Sequence, residues 1–185
     1  MALSKIQAES MNLADTYAFT GTVSGAAEWT ESAAIGTLDS ATHTVTGIPS
    51  DATEIVMTWK EVGQTAAAGG NPKIQVGTSS GLVTSGYSFR GINHYSGGSA
   101  GIVYGTNSLA DIGSWGATSI YDIYCHLFHT GDNIWLANSV WNISVSYTAY
   151  YTILGRIELS GTLDRIAMNT SSGTFNGGTA RVFYR

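Results

Sequence analysis

Charged residues are scarce in this chain. Lysine, arginine, aspartate and glutamate together make up 11% of its 185 residues, whereas soluble domains ordinarily carry about 25%. The net charge of -5 is thinly spread, and the eight basic residues form no cluster along the sequence. Binding to a phosphate backbone needs several basic side chains on one face, so we expect no nucleic-acid partner. A surface of serine, threonine, glycine and asparagine favours an all-β extracellular or virion protein over a cytosolic enzyme.

Cysteine is almost absent as well. Cys125 is the only one, so no disulfide can form within the chain. It lies in an apolar run from Ile120 to Phe128, which predicts a buried and inert thiol rather than a nucleophile.

Long hydrophobic runs are also missing. No stretch approaches the roughly 20 apolar residues of a membrane span, so we expect no membrane insertion. Residues Met1–Asn12 lack the basic start and the apolar centre of a signal peptide. This pattern predicts synthesis in a cytoplasm without a cleaved leader.

Strand-like alternation dominates the chain after Gly25. The segment Glu54–Val62 places Ile55, Met57 and Trp59 on one face. Further strands are predicted at 42–48, 73–76, 101–104, 119–128, 134–137 and 141–151, and three more follow Gly155. The turn-forming residues 130–133 predict a tight hairpin, and only residues 26–35 have a pattern that fits a turn or two of helix. The expected fold is all-β, an antiparallel β-sandwich that is jelly-roll-like.

The two ends of the chain differ in character. The last strand closes with Val182 and Tyr184, so we expect the C-terminus to be held in a sheet. Residues 1–25 predict a short N-terminal arm, helical or extended, that serves attachment or subunit exchange, and residues 26–185 predict a β-sandwich display domain. An extended arm of about a dozen residues reaches roughly 35–40 Å. The candidate attachment residues of the arm are its apolar side chains, namely Leu3, Ile6, Met11 and Leu13.

Three segments carry a resemblance to a known family. They are Asn-Leu-Ala-Asp-Thr-Tyr-Ala-Phe-Thr-Gly-Thr-Val at 12–23, Gly-Ile-Pro-Ser-Asp-Ala-Thr-Glu-Ile-Val-Met-Thr-Trp at 47–59, and the C-terminal Ser-Gly-Thr-Leu-Asp-Arg-Ile at 160–166 with Gly-Thr-Phe-Asn-Gly-Gly-Thr at 173–179. In order and spacing they resemble the terminal β-domain of tailed-bacteriophage tail-fibre and head-fibre proteins. The resemblance implies a virion protein, made in the bacterial host cytoplasm, that is commonly trimeric. The chain contains no repeat or heptad run that would build a shaft, so we expect a short appendage or a capsid decoration.

Catalytic and metal-binding residues are not expected. His126 and His129 lie three apart in a predicted strand and therefore on opposite faces, where they do not readily share a metal. Most aspartates fall in predicted turns, where their side chains cap the backbone. The glycine-rich segments do not link a strand to a helix, so they are not phosphate loops. We predict no enzyme activity and no cofactor.

A glycine-rich segment from residue 87 to residue 118 also contains several aromatic residues. Aromatic rings stack on sugar C–H groups, so Tyr95, Tyr104 and Trp115 are candidate contacts for a host-surface glycan. Packing of these rings between subunits or beneath the loops is the favoured explanation.

The sequence thus predicts a small structural protein of a tailed-phage virion that forms a homotrimer. Its arm would engage the capsid, the tail or a neighbouring subunit, and its β-domain would face outward, where it contacts the host surface. The alternative is a carbohydrate-binding, lectin-like module without catalytic activity.

Overall fold

Two antiparallel β-sheets pack together in this protein. The computed structural model describes residues 28–32, 35–65, 70–96, 98, 100–113, 116–144 and 148–185. Within these ranges the chain forms thirteen strands and no helix. The predicted all-β antiparallel sandwich is therefore confirmed. The arm of residues 1–25 lies outside the described residues.

Eight strands form the larger sheet and five form the smaller one. The larger sheet contains, in spatial order, β1 (Thr30–Glu31), β13 (Thr179–Tyr184), β3 (Glu54–Gly63), β9 (Ile120–Gly131), β10 (Ile134–Ser144), β11 (Thr148–Glu158), β6 (Ser88–Tyr95) and β7 (Gly101–Gly105). The smaller sheet contains β2 (Thr42–Thr46), β12 (Arg165–Thr170), β4 (Pro72–Thr78) and β5 (Gly81–Leu82), and β8 (Ala110–Asp111) also pairs with β4.

The core lies between the sheets because each strand sends alternate side chains inward. Ile55, Met57 and Trp59 of β3 are all buried, as their spacing predicts. The Trp59 ring packs against Trp141, with 5.7 Å between ring centroids, and against Phe175 at 5.6 Å. Aromatic pairs at these distances add stabilisation beyond the burial of their area. Cys125 is fully buried too, and this burial raises the pKa of its thiol to about 12. The predicted burial of this thiol is confirmed.

The predicted hairpin at residues 130–133 joins β9 to β10. Asp132 and Asn133 have φ angles of 49° and 58°. Positive φ at both central residues matches the right-handed twist of the flanking strands, and Asp and Asn tolerate this conformation well.

Three local predictions are wrong. One strand was predicted to end at residue 137 and another to run from 141 to 151, but β10 continues from Ile134 to Ser144, and β11, which begins at Thr148, pairs back on it. Ser139 is polar and buried within β10, and its hydroxyl is satisfied by a 2.9 Å hydrogen bond that it accepts from the Trp141 indole. Among the described residues of 26–35 there is no helix; Thr30 and Glu31 form β1 instead and pair with β13.

The C-terminal strand β13 lies inside the larger sheet, between β1 and β3. Arg185 continues this pairing, since its carbonyl oxygen accepts hydrogen bonds from the amides of Thr53 and Glu54. The prediction that the terminus is held in a sheet is therefore confirmed. β13 has a paired strand on each side, so it is an interior strand of the sheet and not an edge strand.

Candidate interaction surface

The outer face of the larger sheet is apolar over much of its extent. A sheet with one side on the core and the other in water ordinarily alternates apolar with polar residues. Here strands β6, β7, β9, β10 and β11 carry apolar side chains on both faces. We define the outer patch as the ten exposed members of this set, which are Ile92, Ile102, Tyr104, Ile120, Tyr124, Phe128, Leu136, Val140, Tyr150 and Leu154.

Strand register joins four of these side chains into one row across the sheet. Val140 of β10 lies opposite Tyr124 of β9 on one side and Thr152 of β11 on the other. Thr152 in turn lies opposite Ile92, and Ile92 opposite Ile102. Directly opposite side chains in a sheet lie about 5 Å apart, so this row crosses five strands with Thr152 as its one polar member.

The exposure of the outer patch is unusually large. Tyr104 is 75% exposed, Ile102 72% and Leu154 63%. The other seven are between 37% and 54% exposed, so this face leaves ten large apolar side chains accessible to solvent. Large exposed apolar patches ordinarily mark an interaction site.

Charged side chains lie among and beside the outer patch. Arg90 stands between Leu154 and Tyr104 in the sheet register. Arg156 lies opposite Leu136, and its guanidinium is 3.1 Å from the Glu158 carboxylate. This pair is exposed on both sides, so it contributes little to stability, but it partly neutralises the charge at this end of the patch.

A polar cluster joins the C-terminus to the outer face. The Glu54 carboxylate accepts hydrogen bonds from Arg185 at 2.6 Å and makes a 2.8 Å contact with the His126 ring. Its pKa is lowered, mainly by the Arg185 hydrogen bond and also by His126. The His126 ring packs on Phe128, with 4.0 Å between centroids, and the Arg185 guanidinium lies 4.8 Å from the centroid of Trp29.

A groove lies beside strand β7 at the edge of the larger sheet. Its volume is about 460 Å³. The β7 side contributes Val103 and Tyr104, with the buried Phe89 beneath them, and the opposite wall contributes Asn71 and Asp111. Burial raises the pKa of the Asp111 carboxyl, although the Gly113 amide donates a 2.8 Å hydrogen bond to it.

The three predicted glycan contacts do not form one cluster. Tyr104 points outward from β7, while Tyr95 is half-buried on the opposite, inner face of β6. The Tyr95 hydroxyl is hydrogen-bonded to the Tyr151 hydroxyl at 3.2 Å and to the Asn93 side chain at 2.7 Å. Trp115 lies outside the described residues, as do the arm residues Leu3, Ile6, Met11 and Leu13.

The histidines and carboxylates do not gather into a cluster in the described ranges. His126 contacts Glu54, whereas His129 stacks on Trp135 with 4.9 Å between centroids. Across the described part of the chain, no three His, Cys, Asp or Glu side chains are placed to hold a metal ion. The absence of metal, cofactor and enzyme activity stays a prediction. A search of the same residues finds no helix long and apolar enough to cross a membrane.

In comparisons with known proteins, no family model, no curated protein and no solved structure matches this chain. The resemblance to phage fibre domains therefore stays a prediction from the sequence.

Sequence reasoning did not identify the outer patch. Its signal is present in the sequence, since three strands contain adjacent apolar residues, as in Ile123-Tyr124, Trp135-Leu136 and Ile153-Leu154. Adjacent residues of a strand point to opposite faces, so such pairs indicate that both faces are apolar. Only the strand order shows that the outward members lie side by side.

Proposed function

We propose that this chain is a structural subunit of a tailed-phage virion, a small β-sandwich appendage of tail-fibre, head-fibre or capsid-decoration type. It assembles as a homotrimer, and the outer patch of the larger sheet packs between its subunits. The observation that carries the proposal is the number of large apolar side chains that the outer face of the larger sheet exposes.

The composition of the patch supports packing between copies of the chain. A stable protein interface buries about 800 Å² on each partner and has apolar side chains at its centre, and the patch offers ten such side chains. Three of them are tyrosines, and Arg90 lies between Leu154 and Tyr104; both residue types are enriched at interfaces. In a trimer, each interface joins two different surfaces of neighbouring subunits, so the patch of one copy is covered by a different surface of the next.

The assignment to a virion is supported by the sequence. The three fibre-like segments imply a display domain that is commonly trimeric, and a surface poor in charge agrees with burial between subunits. In this arrangement the remaining faces of the sandwich are displayed outward, where they contact the host surface, and the arm engages the capsid, the tail or a neighbouring subunit.

Light scattering of the purified chain tests the assembly. We expect a trimer, and we expect Val140→Asp combined with Leu154→Asp to lower the association constant by at least about 100-fold, because each change removes apolar contact and buries a carboxylate. Thr44→Asp is the matched control, since Thr44 is exposed on the smaller sheet. A monomeric parent chain, or a double variant that still forms trimers, contradicts the proposed interface.

Localisation tests the virion assignment separately. Antibody–gold labelling of intact phage particles is expected to mark the tail or the head surface, two positions that are distinguishable in the electron microscope. Absence of the chain from purified particles would contradict the assignment, whatever its oligomeric state.

The competing hypothesis is a carbohydrate-binding module. The observation in its favour is the Tyr104 ring, which is accessible for stacking on a sugar. It predicts saturable binding on a glycan array that Tyr104→Ala abolishes without loss of the cooperative melt. Binding that survives this change would count against it.

A further inference from the structure

The edge of strand β7 is open in this structure. β7 pairs with β6 on one side, and no described residue pairs with its other side. Natural edge strands are usually protected by lysine, proline, a bulge or a covering segment. β7 has the sequence Gly-Ile-Val-Tyr-Gly, with no charge and no proline. An edge of this kind readily accepts a further strand.

The groove beside β7 is shaped to receive that strand. It lies between the open edge of β7 and the segment around β8 in the smaller sheet, and it is lined by described residues of both. Backbone donors and acceptors of β7 line one side. Phe89 and Val103 offer apolar contact toward the core, and Tyr104 does so on the outer face. An added strand would therefore have apolar neighbours on its inner face, and its outer face would lie beside Tyr104 and toward solvent.

The chain itself contains a suitable segment. Residues 17–23 read Tyr-Ala-Phe-Thr-Gly-Thr-Val, so Tyr17, Phe19 and Val23 alternate with small or polar residues. The segment carries no charge, and among the described residues that line the groove Asp111 is the only charged one. Such alternation suits a strand with one face on the core and one toward solvent.

The length of the chain determines which copy supplies the segment. The first described strand, β1, is at one edge of the larger sheet, and β7 is at the other. Seven inter-strand spacings of about 4.8 Å separate them, roughly 34 Å across the sheet. From Val23 to Thr30 the chain spans at most about 25 Å when fully extended. The segment therefore cannot cross its own sheet to reach β7.

We propose that residues 17–23 of one copy add as a strand to the open edge of β7 in a neighbouring copy. The groove is then a strand-exchange site that fixes which subunits are adjacent. This inference rests on the proposed self-assembly and adds a second contact to it, at the β7 edge of the outer patch.

Photo-crosslinking in the full chain tests this exchange. Thr106 is exposed, lines the groove and directly follows β7, so it is replaced by p-benzoylphenylalanine. This chain is mixed with a nitrogen-15-labelled chain that lacks the photoreactive residue, and the crosslinked peptides are identified by mass spectrometry. We expect crosslinks from Thr106 of one isotope to residues 17–23 of the other. The same replacement at Tyr150, in the outer patch, is expected to crosslink to a neighbouring subunit.

A matched pair of substitutions tests which side of residues 17–23 is buried. Phe19→Asp places a charge on the apolar side and is expected to lower the crosslink yield about tenfold or more, because it removes the burial of an aromatic ring. Thr20→Asp, one residue later on the opposite side, is expected to leave the yield within about twofold. Equal yields from the two variants would overturn the predicted strand.

The outcomes separate this inference from the proposed function. Crosslinks from Tyr150 between subunits, with none from Thr106 to residues 17–23, overturn the strand exchange and leave the outer interface standing. Crosslinks from Thr106 to residues 17–23 of the same chain, or to β7 of another copy, also overturn the strand exchange. So does a neutral oligosaccharide that binds the groove saturably and suppresses the crosslink. A monomer without any crosslink overturns both.

Discussion

Deletion of residues Val182–Arg185 is expected to remove most of the stability of the sandwich. Val182–Tyr184 form the end of β13, which is bonded on both sides in the larger sheet, and Arg185 follows directly. Val182 is fully buried in the core, and its carbonyl oxygen accepts a 2.8 Å hydrogen bond from the Ser32 amide. Arg185 exchanges backbone hydrogen bonds with Glu54 and accepts a further one from Thr53.

The expected loss of stability on deletion is estimated from these contacts. Burial of Val182 contributes about 2 kcal/mol, and the four hydrogen bonds contribute about 1 kcal/mol each. A loss of about 6 kcal/mol is comparable with the whole stability of many domains, which is about 5–15 kcal/mol. For a chain of this length it lowers the melting temperature by about 12–24 °C or prevents folding.

Differential scanning calorimetry of the deleted and parent chains measures this effect. Arg185→Ala is the control, because it removes the ion pair with Glu54 but keeps the backbone of β13; we expect a much smaller decrease in melting temperature, since ion pairs at a surface contribute little. A deleted chain that melts cooperatively at the parent temperature would refute the reasoning and show that β13 is dispensable.

Three further predictions concern packing, pH and reactivity. Gly155→Ala should lower the free energy of unfolding by about 1–3 kcal/mol in urea titrations, because the added methyl group would clash with the backbone oxygen of Leu109. Gly36→Ala, with open space around it, should change little. Glu54 has a pKa below its ordinary value of 4.5, so its contribution to stability is present above pH 4.5 and is lost as the pH falls through the lowered pKa. Glu54→Gln should therefore flatten the acid side of the curve of stability against pH. An unchanged curve would contradict the pairing of Glu54 with Arg185. Cys125 should react with a thiol reagent only when the protein unfolds, because it is buried and its pKa is raised to about 12; reaction in the native state would show that the core opens.

Local patterns in the sequence were sufficient for several strands and turns. The alternation of Ile55, Met57 and Trp59 identifies the buried face of β3, and the turn residues at 130–133 identify the β9–β10 hairpin. These features depend only on neighbours along the chain, namely the period of two in a strand and the backbone preferences of Gly, Asp and Asn. The same local reasoning wrongly ended a strand at residue 137. The strand continues because a polar side chain can be satisfied inside it: the Ser139 hydroxyl accepts a hydrogen bond from the Trp141 indole.

The interaction surfaces, in contrast, depend on contacts between distant parts of the chain. Tyr124 and Ile102 are 22 residues apart in sequence, yet they belong to one row because β10, β11 and β6 lie between their strands in register. Likewise, the groove exists because β7 ends one sheet next to β8 of the other. The sequence by itself determined that this is an all-β protein with little charge and apolar strands. Only the tertiary structure decided which apolar side chains are left outside the core, because strand order and register, unlike strand identity, are set by long-range pairing.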